Sequence, residues 1–157
     1  MPRRAYKKNI VKKDMVYNSY EVSKLINYVM IAGKKTVAEK VVYEALSLIK
    51  EQNLDPLEIM RKAINNVAPT HEVKAKRVGG ASYLVPSDTR QERKLFLSLN
   101  WIVDGASSRS SKEYKSFSKK LFAELMDASN ELGSAVNKKK SVEKVAEANK
   151  AFAHFKW

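Results

Sequence analysis

The 157-residue chain contains no cysteine. This excludes a disulfide scaffold, thiolate zinc sites and a cysteine nucleophile. Chain breakers are scarce, with five glycines and four prolines, so long uninterrupted helices are expected. No run of about 18 apolar residues occurs, so no transmembrane helix is predicted. The leading MPRRAYKKNIVKK carries charge with no apolar stretch behind it, unlike a secretory signal. The two histidines, His71 and His154, lie far apart, and neither HExxH nor GxxxxGK[ST] is present. No metal site, cofactor, small-molecule substrate or catalytic residue is therefore predicted. Carboxylate pairs such as Glu51/Asp55 and Asp127/Glu131 read as solvated helix faces. Acidic residues are the minority, 17 against 30 Lys+Arg, which leaves a net charge of +13. That excess favours a polyanionic partner, nucleic acid before an anionic membrane.

With 44% apolar residues, the chain can build one core without staples. Residues 1–157 read as a single domain. Arg3, Arg4, Lys7, Lys8, Lys12 and Lys13 form a block with no acidic residue, expected to be an extended arm. Helical spacing starts near Ser19, with Val22, Leu25, Ile26, Val29 and Met30 on one face and Gly33 as the stop. A second helix over about 36–51 carries the stripe Val37, Val41, Ala45 and Leu48. Ala38, Val42 and Ile49 widen it. Asp55-Pro56-Leu57-Glu58 signals a third start, with Asp55 as cap and Pro56 where a missing N–H costs nothing.

The period then changes from 3.6 to 2. His71–Val78 alternates, Gly79-Gly80 follows, and Ala81–Pro86 alternates again, which predicts a hairpin over 71–86. A two-residue turn sets Lys76 opposite Tyr83 and Lys74 opposite Val85. Such a ribbon is barely stable alone and must lean on the helices at its base or on a partner at its tip. Helical spacing then resumes in three segments. The fourth is expected to open with a Thr89/Glu92 capping box and to bury Leu95, Leu99 and Ile102. Ser107 to Ser111 reads as a loop. Ser110 and Glu113 form a second capping box for a fifth helix that includes Tyr114 and ends at Gly133. A sixth covers about 135–152, with Val142, Val145, Ala146, Asn149 and Phe152 in register. The expected fold is mainly α: a six-helix, bundle-like domain with a β-hairpin arm between helices three and four and an extended basic N-terminal arm.

The cations gather at structural punctuation. Lys34-Lys35 opens the second helix. Lys74, Lys76 and Arg77 line the hairpin. Arg90, Arg93, Lys94 and the lysines from Lys112 to Lys120 crowd two helix starts, and Lys138-Lys139-Lys140 opens the last helix. Cations at helix starts oppose the macrodipole by a few tenths of a kcal/mol. Their recurrence there points to phosphate binding rather than to stability. Tyr6, Tyr83 and Trp101 are candidate stacking groups, with Trp101 the better core residue. Without further information, the competing reading is a DNA-bending architectural protein with a ribbon arm, although the Gly-Gly-Ala-Ser tip offers no apolar wedge.

Three strings, GKKTVAEKVVYEAL, EVKAKRVGGASYLVP and AEANKAFAHFKW, together with the leading MPRR, closely resemble the bacterial type of small-subunit ribosomal protein seven. The resemblance covers essentially the whole chain. It implies six helices with a long ribbon between the third and fourth. It also implies a primary binder of small-subunit ribosomal RNA that binds the 3′ major domain and nucleates assembly of the subunit head. The implied location is the subunit interface, near exit-site tRNA and the mRNA exit channel and beside small-subunit proteins nine and eleven, in the bacterial cytoplasm. Carried over, Arg3 and Arg4 belong to the RNA-binding arm and Lys34 and Lys35 to a segment that meets RNA. Lys74, Lys76 and Arg77 belong to the ribbon. Gly79, Gly80, Ala81, Ser82 and Tyr83 form the tip that approaches exit-site tRNA.

The chain departs from the family in four ways, one being that several family arginines are lysines here, for example Lys74 and Lys76, which keeps the charge but loses bidentate geometry. Asp14-Met15-Val16-Tyr17 lacks the usual Asp-Pro, which predicts a less rigid exit for the arm. Asn100-Trp101 replaces an Arg-Trp pair and removes a cation. Glu143 stands where a histidine is usual, which argues against RNA or protein contacts on that face. Replacing Lys74, Lys76 and Arg77 together is expected to weaken RNA binding and leave thermal stability nearly unchanged.

Overall fold

A computed structural model describes residues 11–155. Six α-helices and one hairpin follow the expected order: α1 (Tyr20–Val29), α2 (Lys35–Glu51), α3 (Pro56–Val67), β1 (His71–Val78), β2 (Ala81–Asp88), α4 (Gln91–Ser108), α5 (Phe117–Ser129) and α6 (Gly133–Ala148). A short 3₁₀ helix over Lys150–Phe155 ends the described chain. Of the expected N-terminal arm, Arg3, Arg4, Tyr6, Lys7 and Lys8 lie outside the described residues.

Helix α5 is central and packs against α2, α3, α4 and α6. The core joins Leu25 and Ile26 of α1, Val42, Leu46 and Ile49 of α2, Met60 of α3, Leu99 and Ile102 of α4, and Leu121 and Leu125 of α5. At about 25 cal/mol per Å² of apolar area, these side chains supply the main stabilisation of the body. The buried face of α2 runs through Ala38, Val42, Ala45, Leu46 and Ile49, whereas Val37 is exposed. Two adjacent apolar stripes satisfy the same helical period, and the packing of α1 and α5 selects between them. Trp101 is half-buried against the core, as expected.

Asp55 caps α3, its Oδ1 accepting from the Leu57 N–H at 2.9 Å, with Pro56 as the first helical residue. The other two predicted caps are not formed. The Thr89 N–H donates to the Thr70 carbonyl at 3.0 Å and prolongs the hairpin ladder, so Arg90 takes the cap position of α4. Helix α5 starts at Phe117, and Ser116 is its cap, accepting from the Lys119 N–H. Ser110 instead accepts from the Lys112 N–H within a turn, so Tyr114 precedes the helix. Ser107 and Ser108 are helical, not loop. Their hydroxyls donate back to the Val103 and Gly105 carbonyls, which lets serine remain in a last turn. Gly133 opens α6 rather than ending α5. Helix α6 stops at Ala148, so Phe152 belongs to the 3₁₀ helix, and Val145 is 38% exposed.

The hairpin has the predicted register, Lys76 opposite Tyr83 and Lys74 opposite Val85, and extends to His71 opposite Asp88. Gly79 and Gly80 both have positive φ, 58° and 90°, as a two-residue turn matched to strand twist requires.

Candidate nucleic-acid interface

The basic residues divide into those free to meet an anion and those already used by the fold. Lys12 and Lys13 are exposed just before Asp14. Asp14 is buried and fixes the chain there. Its Oδ2 accepts from the Val16 and Tyr17 N–H groups at 3.0 and 2.9 Å, and its Oδ1 accepts from the Tyr43 hydroxyl at 2.6 Å. Where the family has Asp-Pro, the Asp14 carboxylate closes a turn of its own over Val16 and Tyr17. Burial and the neighbouring Asp14 push the Tyr43 phenol far above its ordinary value. Burial raises that of Tyr17 as well.

Lys34 and Lys35 occupy the cap and first position of α2 and are both exposed. Lys35 reaches Glu39 at 3.8 Å, an exposed pair of small energetic weight. Lys34, Arg77, Arg90, Lys112 and Lys138 are exposed and pair with no carboxylate among the described residues. Lys94 is half-buried in the first turn of α4. Lys138 to Lys140 lie beyond the first turn of α6 instead of opening it.

Other cations hold the ribbon. The Arg93 Nε donates to Glu72 Oε2 at 3.1 Å, and its guanidinium lies 5.0 Å from the Phe96 ring centroid. Glu72 also pairs with Lys74 at 3.5 Å. The hollow at this ribbon base, about 570 Å³, is lined by Lys74, Arg90 and Arg93 but also by Glu72, Asp88 and Glu92. Its mixed charge makes it a joint between β1 and α4 rather than a dedicated phosphate cradle.

Tyr83 is not an open stacking platform. Its ring lies 5.1 Å from Phe152 and 5.4 Å from Phe155, centroid to centroid. The Lys76 Nζ donates to the Phe155 carbonyl at 3.3 Å. The hairpin thus leans on the C-terminal 3₁₀ helix as well as on α6, and Lys76 is structural as well as basic. Replacing all three ribbon cations therefore removes this contact of Lys76 as well as charge. Gly79, Gly80, Ala81 and Ser82 at the tip remain exposed.

Two further polar centres carry no simple sequence signal. Arg109, the residue capping the end of α4, donates from Nε to Glu124 Oε2 at 2.8 Å and also pairs with Asp127. Burial alone would lower the Arg109 pKa, but the two carboxylates hold it above its ordinary value. Glu124 is 1% exposed, and its Oε1 accepts from the Ala135 N–H at 3.0 Å and from Ser134 Oγ at 3.2 Å. The second centre is Glu143. Its Oε1 accepts from the Thr70 N–H and Oγ1 at 2.9 and 2.8 Å. Burial alone would raise its carboxyl, yet the Thr70 hydrogen bonds, Lys139 and His71 hold it below the ordinary value.

A mainly helical body with one long ribbon between its third and fourth helices fits a known family. The family model for ribosomal protein S7p/S5e matches residues 1–150. The chain belongs to the ribosomal protein S7p/S5e family. It is 50% identical over 159 residues to the small ribosomal subunit protein uS7 of Thermoanaerobacter pseudethanolicus, covering all of both chains. The proteins of the same description from Caldicellulosiruptor bescii and Moorella thermoacetica are each 47% identical, again over the full length of both chains. S7p/S5e membership makes the chain a ribosomal protein of the small subunit, serving translation in the cytoplasmic ribosome of a bacterium. The family is one of ribosomal structural proteins and not an enzyme class. Among the described residues no group of three or more His, Asp or Glu could hold a metal ion, and no helix is long and apolar enough to cross a membrane.

Proposed function

We propose that this chain is a non-enzymatic, primary RNA-binding protein of the small subunit. It binds the 3′ major domain of small-subunit ribosomal RNA as one domain and nucleates assembly of the subunit head. The observation that carries the reading is that Lys34, Arg77, Arg90, Lys112 and Lys138 stand exposed and pair with no carboxylate among the described residues. Cations so placed release counterions from RNA without first breaking ion pairs of their own. Arg3, Arg4, Lys7, Lys8, Lys12 and Lys13 extend the same charge along the RNA backbone. The exposed tip from Gly79 to Ser82 approaches exit-site tRNA beside the messenger exit channel, and small-subunit proteins nine and eleven are its neighbours.

Hydroxyl-radical footprinting of a transcript of the 3′ major domain, with the full-length protein, tests this. Discrete protections at nanomolar protein are expected, and the Lys74→Ala/Arg77→Ala variant should lose a subset of them. A duplex DNA competitor as effective as the transcript would defeat the proposal and favour the DNA-bending alternative.

A further inference from the structure

A two-stranded ribbon has little stability of its own, so its direction depends on what holds its root and its length. Thr70 is the residue just before β1, and all its local polar groups are used. Its carbonyl accepts from the Thr89 N–H beyond the end of β2. Its own N–H and hydroxyl both donate to one oxygen of Glu143 on α6. A single side chain therefore ties the bases of both strands to the last helix.

Lys139 lies one turn earlier on the same face of α6. Its Nζ donates to the Asn66 carbonyl at 2.9 Å, one of the orphan acceptors at the end of α3. The Asn66 side-chain amide in turn donates to the Ala128 and Ser129 carbonyls that end α5. Helix α6 thus grips the chain on both sides of buried Pro69, where α3 passes into β1. Higher up the ribbon, the Tyr83, Phe152 and Phe155 rings provide a second attachment to the same C-terminal segment.

We propose that Glu143 is a positioning residue for RNA binding, fixing the ribbon root on α6 so that ribbon and C-terminal segment meet RNA as one rigid face. Without it, the ribbon samples directions in which Lys74 and Arg77 miss their phosphates. RNA must then select the competent fraction, which lowers apparent affinity in proportion. This rests on the RNA-binding reading above, and the test separates the two.

The variants are Glu143→Ala, Glu143→Gln and Thr70→Val in the full chain. Binding to the 3′ major domain transcript is measured at 20 °C on samples shown to be folded by circular dichroism, alongside amide hydrogen exchange of free protein. Glu143→Ala is expected to raise Kd about tenfold, to erase the protections that Lys74→Ala/Arg77→Ala also erases, and to speed exchange in β1 and β2 but not in α2. Thr70→Val, which keeps one of the two donors, should fall between wild type and Glu143→Ala. Glu143→Gln retains an acceptor oxygen and should stay within about twofold of wild type. Wild-type Kd and ribbon protections in Glu143→Ala would overturn the proposal, as would a Glu143→Gln defect equal to that of Glu143→Ala. If wild type itself fails to bind the transcript, the RNA-binding reading falls. Hydrogen exchange still decides the lock in that case, since unchanged β1 and β2 exchange in Glu143→Ala would overturn it.

Discussion

Replacing Gly105 by alanine sets two effects of opposite sign against each other. Gly105 sits inside α4, where alanine is better than glycine by about 1 kcal/mol in helix propensity. Yet a Cβ built there falls 2.6 Å from Glu124 Oε1 and 2.6 Å from Ser134 Oγ. A surface carboxylate would swing aside, but this one cannot do so freely. Glu124 is buried, with Arg109 on one oxygen and the Ala135 N–H and Ser134 hydroxyl on the other. Moving Oε1 leaves the N–H of buried Ala135 without its acceptor, at a cost of about 1–3 kcal/mol, and weakens the Arg109 bond as well. Taking about 2 kcal/mol for the lost acceptor and about 1 kcal/mol for the weakened Arg109 bond, against about 1 kcal/mol gained in propensity, the balance is a net loss of about 2 kcal/mol. For a domain of this size that is a fall in Tm of roughly 4–8 °C, readable by calorimetry at neutral pH. A Tm equal to or above wild type would show that the Glu124 site yields easily and that the reasoning is wrong.

Tyr43→Phe removes the 2.6 Å bond to Asp14 and should cost about 1–2 kcal/mol at neutral pH. Because the folded phenol lies above its ordinary 10.0, its contribution is full below about pH 10 and disappears as pH rises through the folded value. Tyr43→Phe should therefore flatten the alkaline limb of a stability–pH curve, and an identical limb would contradict this. The Glu143 carboxyl is held low, so its contribution is full above the ordinary 4.5 and fades as pH falls through the folded value. Glu143→Gln should flatten the acid limb, as measured by urea unfolding between pH 2 and pH 6. Lys34→Ala/Lys35→Ala should reduce the slope of log Kd against log salt by about 1.4–1.8, since each phosphate contact contributes ~0.7–0.9. Tm should stay nearly constant, because the exposed Lys35–Glu39 pair is worth at most about 0.5 kcal/mol. An unchanged slope would remove these two residues from the RNA contact.

Periodicity, turn residues and the Asp55-Pro56 signal were enough to place six helices and a hairpin with its register. Each is set by interactions within a few residues, or by a two-residue turn that leaves one pairing open. The clustering of cations at α2 and along the ribbon was legible for the same reason. Which cations stay available was not. Arg93, Lys76 and Lys139 look no different in sequence from Arg77 or Lys138, yet the fold engages each of the first three in holding the ribbon or α6. Their partners, Glu72, the Phe155 carbonyl and the Asn66 carbonyl, lie 21, 79 and 73 residues away. Thr89 was drawn from its predicted cap into the ladder by Thr70, and Tyr83 was claimed by two rings from the C-terminal segment.

Local chemistry therefore decided the elements, the turn and the sign of the surface. Tertiary packing decided the division of labour among like-charged side chains, and it turned Glu143, Glu124 and Arg109 from ordinary charged residues into joints. The reason is range. Helix and turn preferences act over one or two turns of chain, whereas a charge's fate depends on whichever carbonyl or carboxylate the folded body brings within hydrogen-bond reach.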